Sequence, residues 1–471
     1  MKYILVLLVL VFCLPTLANH DLSEALKMFN QGTVQKQVLL VKYKDSITVR
    51  NINKTLATNI PYLSENVFIR GEKVYQQERL ALSSRLKLTH LENYIYFHLK
   101  NIPSAQEARN ILKNIYAQSI VEFAYFEPTL EVAVINESLG PIRSIESNIP
   151  TPNFEAGQFY LKPAPLGIDA YYAWTLKGGT GTGIKVVDVE FGWTHKHEEF
   201  KAPFWTNQIS GSHATHGTAV LGVLAAKKIN QTGIVGISHD VEFGTAGMKW
   251  QGSWDKWFVS FARAFDQATV TMSPGHVMVI ELQGNGPDSK YVPMEYWKPM
   301  FDTIKLATAK GIHVIEAAGN GDANLDAPIY QNIFSMSVRD SGAIMVGAGA
   351  PPTPDQQHLT RMSFSNYGAR IDAMGYGWDV VTTGYGDLFG GSNSARQYTK
   401  KFSGTSSATP IVAGAVASLS GMAKMQNVVI TPEQMRTALR KTGTPQLGNT
   451  HQRIGNLPNM KELVKYFSPA N

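Results

Sequence analysis

Cysteine is nearly absent from this chain: the only one among its 471 residues is Cys13. It lies within an amino-terminal stretch that reads as removable, so the mature protein is expected to have no thiol and no disulfide. Its stability must then come from packing or from bound ions. Long hydrophobic runs are lacking too. The apolar run over residues 4–14 falls short of the ~20 residues that span a bilayer, and no later stretch is longer. There is no block of one charge either: 43 basic and 37 acidic residues are interspersed, and the net charge of +6 gives little support to nucleic-acid binding.

What is present begins with a cationic start, Met1-Lys2-Tyr3, then the short apolar core and the small residue Ala18 after Thr16-Leu17. This pattern predicts a secretory signal peptide over residues 1–18. Phe12 before Cys13 is not the small residue that a lipoprotein signal wants. The expected product is soluble, secreted or periplasmic, with no membrane association once the signal is removed.

The length predicts two folded units after that signal. Over residues 19–150 the pattern is that of a small α+β domain followed by a linker. Residues 37–42, 94–99 and 121–126 read as strands, and Ser104-Ala105-Gln106-Glu107 is a capping-box sequence, with Ala108, Ile111, Leu112 and Ile115 following at helical spacing. Residues 137–165 are rich in Pro, Ser, Asn and Gly, and Asn148-Ile149-Pro150-Thr151-Pro152-Asn153 reads as linker. Over residues 151–471 short apolar runs alternate with helical patterns, which predicts an α/β domain with a mainly parallel sheet flanked by helices.

Four local signals in that second domain bear on chemistry. The buried strand over residues 184–188 ends in Asp188, and the ends of strands in such sheets are where sites gather. His216 falls at the start of an apolar helix beside Gly217. A strand over residues 313–318 runs into Gly319-Asn320-Gly321. Finally, Gly404-Thr405-Ser406 opens a long helix of small residues, placing Ser406 where its N–H lacks an intrahelical partner and the helix dipole favours an anion. Each has a plain structural alternative: a turn former, a cap, a left-handed Asn, a capping hydroxyl. Together they place Asp, His and Ser in one of the chain orders known for the serine triad.

On these residues the region over 160–467 resembles the subtilisin-like serine peptidases. Gly404-Thr405-Ser406-Ser407-Ala408-Thr409-Pro410 is similar to the family's nucleophile motif, His216-Gly217-Thr218 to its histidine motif, Ala317-Ala318-Gly319-Asn320 to its oxyanion motif, and Phe364-Ser365-Asn366-Tyr367-Gly368 to a further signature. The aspartate motif departs from the pattern: Val189-Glu190 follows Asp188, and His197-Glu198-Glu199-Phe200 comes about two residues late. The resemblance implies Asp188, His216 and Ser406 as catalytic residues, Asn320 as oxyanion donor, and Leu282, Gln283, Gly284, Ala317, Ala318 and Gly319 as walls of the pocket before the scissile bond. Gln283 is polar where the family often has a small apolar residue. Glu190 is expected to add negative charge near His216 and raise its pKa.

The resemblance further implies polypeptide substrates, and an amino-terminal domain that serves as propeptide, chaperone and inhibitor, its closing strand at residues 121–128. The chemistry needs no cofactor. Structural calcium is common in the family, but Asn230-Gln231-Thr232-Gly233 fits a plain turn better than a metal loop. Two other readings share the scaffold: a catalytically silent peptide-binding relative, and a peptide ligase or cyclase.

Overall fold

Ser104 and Glu107 form the reciprocal cap that their spacing predicts: the Glu107 N–H donates to Ser104 Oγ, and the Ser104 N–H to the Glu107 carboxylate. The computed structural model describes residues 25–26, 29, 34–45, 93–98, 103–128, 130–135, 149–207, 213–228, 231–247 and 257–467. The expected signal peptide lies outside the described residues. The chain divides into two units, and in sequence it passes from the first to the second between Glu127 and Pro128.

The first unit contains β1 (Val34–Tyr43), β2 (Tyr94–His98), α1 (Ala105–Tyr116) and β3 (Val121–Pro128). Its sheet has the order β2-β1-β3, with Leu40 opposite Tyr96 in the antiparallel β1–β2 pair. Helix α1 buries Ala108, Ile111, Leu112 and Ile115, the stripe that the sequence spacing marks out.

The second unit opens with β4 (Leu130–Val132) and continues through α2 (Ala170–Trp174), β5 (Lys185–Glu190), β6 (Trp205–Thr206), α3 (Ala214–Ala225), β7 (Glu242–Gly247), α4 (Trp257–Thr271), β8 (Val277–Ile280), β9 (Leu282–Asn285), β10 (Tyr291–Pro293), α5 (Lys298–Ala309), β11 (His313–Ala317), β12 (Ile344–Gly349), β13 (Ala373–Tyr376), β14 (Val380–Thr383), β15 (Tyr398–Phe402), α6 (Thr405–Met425), α7 (Pro432–Lys441) and α8 (Met460–Phe467). Seven strands form a parallel sheet in the order β13-β12-β11-β8-β5-β7-β6. Helix α6 is buried from Thr405 to Ala423 and packs on β8, β11, β12, β13 and α3. Buried on every side, it is a central helix.

Three expectations are revised. Strand β5 runs two residues beyond Asp188, through Glu190. The apolar run over residues 276–283 predicts a single central strand, and it is broken at Glu281: β8 stays in the parallel sheet, while β9 leaves it to pair antiparallel with β4 and β10. The end of the stretch read as linker, residues 151–153, and the residues after it to Gln158 are packed: Asn153 bridges to Gly233, Phe154 lies against Tyr398, and the buried Gln158 amide bonds the Val235 N–H and C=O. Their polar composition reflects these bonds, not exposure. Gln231–Gly233 form the turn on the other side of that bridge, and Asn230 lies outside the described residues.

A buried ion cluster fixes the strands behind β9. Arg370, wholly buried, makes paired bonds of 2.7 and 2.9 Å to Glu295 and one of 2.7 Å to Asp372, which also receives Arg440 at 2.6 Å. Burial alone would raise Glu295, but the Arg370 guanidinium holds it below its ordinary value. Replacing Arg370 by Met should leave the buried Glu295 without its guanidinium partner and Asp372 with Arg440 alone, and cost roughly 3 kcal/mol or more. Denaturant unfolding of the variant in a Ser406→Ala background would measure this.

Candidate active site

The site is assembled where β5, α3, β9, the turn after β11 and the start of α6 converge. Gly404 has φ +107°, a conformation that favours glycine, and lets the chain turn from β15 into α6 with Ser406 in the first helical turn. Ser406 is fully buried, and its backbone N–H points out of the helix to the carbonyl oxygen of Ala133, at 3.1 Å.

His216 lies in the first turn of α3, next to Gly217. A side chain at 217 would strike the Gly192 carbonyl and the Trp193 ring, so the glycine is what lets α3 approach the chain leaving β5. The imidazole packs edge-on against Phe402, with ring centroids 5.5 Å apart. Its Nδ1 is 2.6 Å from Glu190 Oε2. The carboxylate on the histidine is therefore Glu190, and the expectation that Asp188 fills this place is corrected. Asp188 sits two residues earlier on the same strand and accepts the Trp193 indole N–H at 2.7 Å.

The sequence carried the signal for this. Measured from Asp188, the His197-Glu198-Glu199-Phe200 segment is two residues late; measured from Glu190, the offset vanishes. The longer glutamate side chain and a strand two residues longer make up the same substitution.

Burial dominates the electrostatics. It pulls His216 down to about 4, with the neighbouring Asp188 carboxyl acting in the opposite sense. Burial likewise pushes Asp188, Glu190 and Glu281 well above the ordinary carboxyl range, and their mutual repulsion adds to this for Asp188 and Glu281. Ser406 Oγ and His216 Nε2 are both buried without a hydrogen-bond partner among the described residues. They are thus not bonded to one another, and serine–histidine contacts of this kind commonly tighten only as the reaction proceeds.

Asn320 sits on the turn after β11. Its Oδ1 accepts from the Thr405 N–H and Oγ1, both at 2.9 Å, which orients Nδ2 away from Thr405; Nδ2 is buried and unpartnered among the described residues. The turn is held by Asn366, from the Phe364–Gly368 signature. The Asn366 amide donates to Ala318 O and Tyr291 O and accepts from the N–H groups of Gly321 and Ala323. Sequence reasoning singled out that signature but gave it no task; its task here is to fasten the Asn320 turn to β10.

Of the expected pocket walls, Leu282, Gln283 and Gly284 lie along the chain's own β4, with Leu130 opposite Gly284. Glu131 pairs with Gln283 and Val132 with Leu282, the Gln283 amide donates to Val132 O at 3.2 Å, and the Ala133 N–H donates to Glu281 O at 3.0 Å. Gln283 Oε1 also accepts the Asn320 N–H at 2.8 Å, so both ends of its amide are used. Gly284 lies against the Trp297 ring, where any side chain would clash. Ala317 and Ala318 are buried, and Gly319, at φ +93°, makes the turn to Asn320. Residues 130–133 thus lie as a third strand on β9, leading a carbonyl to Ser406 and a buried methyl group beside it. Among the described residues no group of three or more His, Cys, Asp or Glu is arranged to hold a metal ion.

The profile of the subtilase family matches residues 191–456, a span that includes His216, Asn320 and Ser406. Among curated relatives, Subtilisin Savinase of Lederbergia lenta is 28% identical over 297 residues, covering 61% of this chain and 93% of that protein. The alkaline protease of Alkalihalobacillus alcalophilus is 28% identical over the same length, covering 61% of this chain and 66% of that protein. Among solved structures, fervidolysin of Fervidobacterium pennivorans, described as a keratinolytic enzyme related to subtilisin, aligns with a TM-score of 0.58 at 17% identity. That alignment covers 92% of this chain and 61% of the other, and at this identity it speaks to the fold.

Proposed function

The chain belongs to the subtilase family, and from that premise we propose that it is a serine endopeptidase, exported with its own inhibitor attached, whose first substrate is the bond between Ala133 and Val134. The observation that carries this is the seat of residues 130–133. They add to β9 as a strand, and the Ala133 carbonyl accepts the Ser406 N–H, the donor a forming oxyanion would need.

In the reaction, Ser406 Oγ attacks the Ala133 carbonyl carbon while its proton passes to His216 Nε2. Glu190, on Nδ1, holds the imidazole in the tautomer that leaves Nε2 free and stabilises the imidazolium. The tetrahedral oxyanion is met by the Ser406 N–H and Asn320 Nδ2. Collapse breaks the bond to Val134, whose nitrogen takes the proton from His216, and water then releases the acyl group by the same steps in reverse. Residues up to Ala133, the first folded unit included, act as the inhibitory propeptide. Substrates in trans are polypeptides with a small residue before the cut, in keeping with Ala133 beside the fully engaged Gln283. The signal-like stretch over residues 1–18 supports export, and among the described residues no helix is long and apolar enough to cross a membrane.

Amino-terminal sequencing of the parent and of Ser406→Ala, both made as full chains in an exporting host, tests the reading. The parent should begin at Val134 and the variant should not. A shared amino terminus would sink self-processing, and failure of the mature parent to react with a fluorophosphonate would sink the peptidase reading altogether.

A further inference from the structure

Strand β5 ends in two buried carboxyl groups where one suffices to hold the histidine. Asp188 and Glu190 are two residues apart, hence on one face of the strand, and are 1% and 0% exposed. Each has one oxygen engaged: Asp188 Oδ2 with the Trp193 indole at 2.7 Å, Glu190 Oε2 with His216 Nδ1 at 2.6 Å. The other two oxygens, Asp188 Oδ1 and Glu190 Oε1, are buried with no partner among the described residues, and the two carboxyl groups lie side by side on that face of the strand.

Two bare carboxylates facing one another in a dry site repel, and a single proton between them turns the repulsion into a hydrogen bond. Among the described residues nothing else is placed to relieve it. The titratable groups facing the pair are His216 from α3, Glu281 from between β8 and β9, and Tyr385 from the loop after β14. Both Glu281 carboxyl oxygens are themselves buried without a hydrogen-bond partner among the described residues, and no Lys or Arg side chain forms an ion pair with any of the three acids there.

We propose that Asp188 carries a proton on Oδ1 and donates it to Glu190 Oε1, so that the pair's single negative charge rests on the glutamate facing His216. Asp188 is then a positioning residue, acting on the histidine through Glu190. The asymmetry has a geometric cause: Glu190 Oε2 lies 2.6 Å from His216 Nδ1, which favours a charge on the glutamate, whereas Asp188 touches only the neutral Trp193 indole, so the proton settles on the aspartate. The Trp193 indole, donating to Asp188 Oδ2, fixes the carbonyl end of the acid and leaves Oδ1 as the hydroxyl.

This inference rests on the peptidase reading for its kinetic arm only. In the first arm, infrared spectra of Ser406→Ala and Ser406→Ala/Asp188→Asn are compared at neutral pH. The difference spectrum should contain a protonated-carboxyl C=O band that the second protein lacks; a carboxylate band in its place overturns the proposal whether or not the chain is an enzyme. In the second arm, rates are compared in the parent background. Asp188→Asn is neutral, donates to Glu190 and accepts from Trp193, so it should keep kcat/KM within about threefold, whereas Asp188→Ala, which loses a hydrogen bond to a charged group, should fall about tenfold or more. The acidic limb of the pH profile, set by His216, should stay in place in Asp188→Asn because no charge has been removed. A move of about one pH unit or more toward acid would show that a real negative charge had stood there, and the proposal would fail.

Discussion

Replacing Glu190 by Gln is expected to lower both self-processing and peptide hydrolysis by about 10⁴-fold, a magnitude carried over from the acid partner in other serine peptidase triads. The amide matches the glutamate in shape but not in charge. It no longer stabilises the imidazolium, and it can present an N–H to Nδ1, which favours the tautomer with Nε2 protonated and unable to receive the Ser406 proton. Because Glu190 is the group 2.6 Å from Nδ1 and Asp188 is not, the loss should be far larger than in Asp188→Asn. The comparison is made by timing the appearance of a Val134 amino terminus and by kcat/KM on a peptide substrate. If Glu190→Gln lost only a few-fold and Asp188→Asn lost thousands, the partner assignment would be reversed.

Gly404→Ala should be nearly as damaging, for a different reason. A Cβ at that position would lie 2.4 Å from Ala133 O, 3.0 Å from Val134 Cα and 3.1 Å from Asn320 Nδ2, at φ +107°. The left-handed strain costs about 1–2 kcal/mol of stability. The larger effect is on the rate: the methyl group drives the carbonyl off the Ser406 N–H and away from the side where Asn320 Nδ2 would meet the oxyanion, and with one such donor worth about 10²–10³ in kcat, losing both should exceed 10³. Thermal unfolding should register the first cost and processing half-time the second. A processing rate within tenfold of the parent would mean that the Ala133 carbonyl does not react where it is seen.

How far the sequence was readable depends on how local each cause is. The cap at Ser104 and the turn at Gly404 are written in adjacent residues, and their helices stand where expected. Asn320, His216 and Ser406 could be identified because each motif carries its own turn. Glu190 could not, since a charged residue after an apolar run looks like the end of a strand; only the three-dimensional site makes a buried glutamate there tolerable. The break at Glu281 has a similar origin. Residues 277–285 have one continuous pattern, and what divides them is β4, a partner some 150 residues earlier in the chain. Strands β14 and β15 likewise pair with each other, antiparallel, and not with the main sheet, a choice the composition of residues 380–383 does not reveal.

On the proposed self-processing β4 departs, and strand β9 then has a further consequence. It is left with a row of free amide and carbonyl groups along one side, with β10 already occupying the other. Such an edge recognises the backbone of whatever is laid on it, and asks of the newcomer only that several residues be extended and detachable. Compact proteins, whose segments are tied into their own helices and sheets, offer few such stretches. Denatured chains and long surface loops offer many, so the choice of victim would turn on unfolding more than on any recognition sequence.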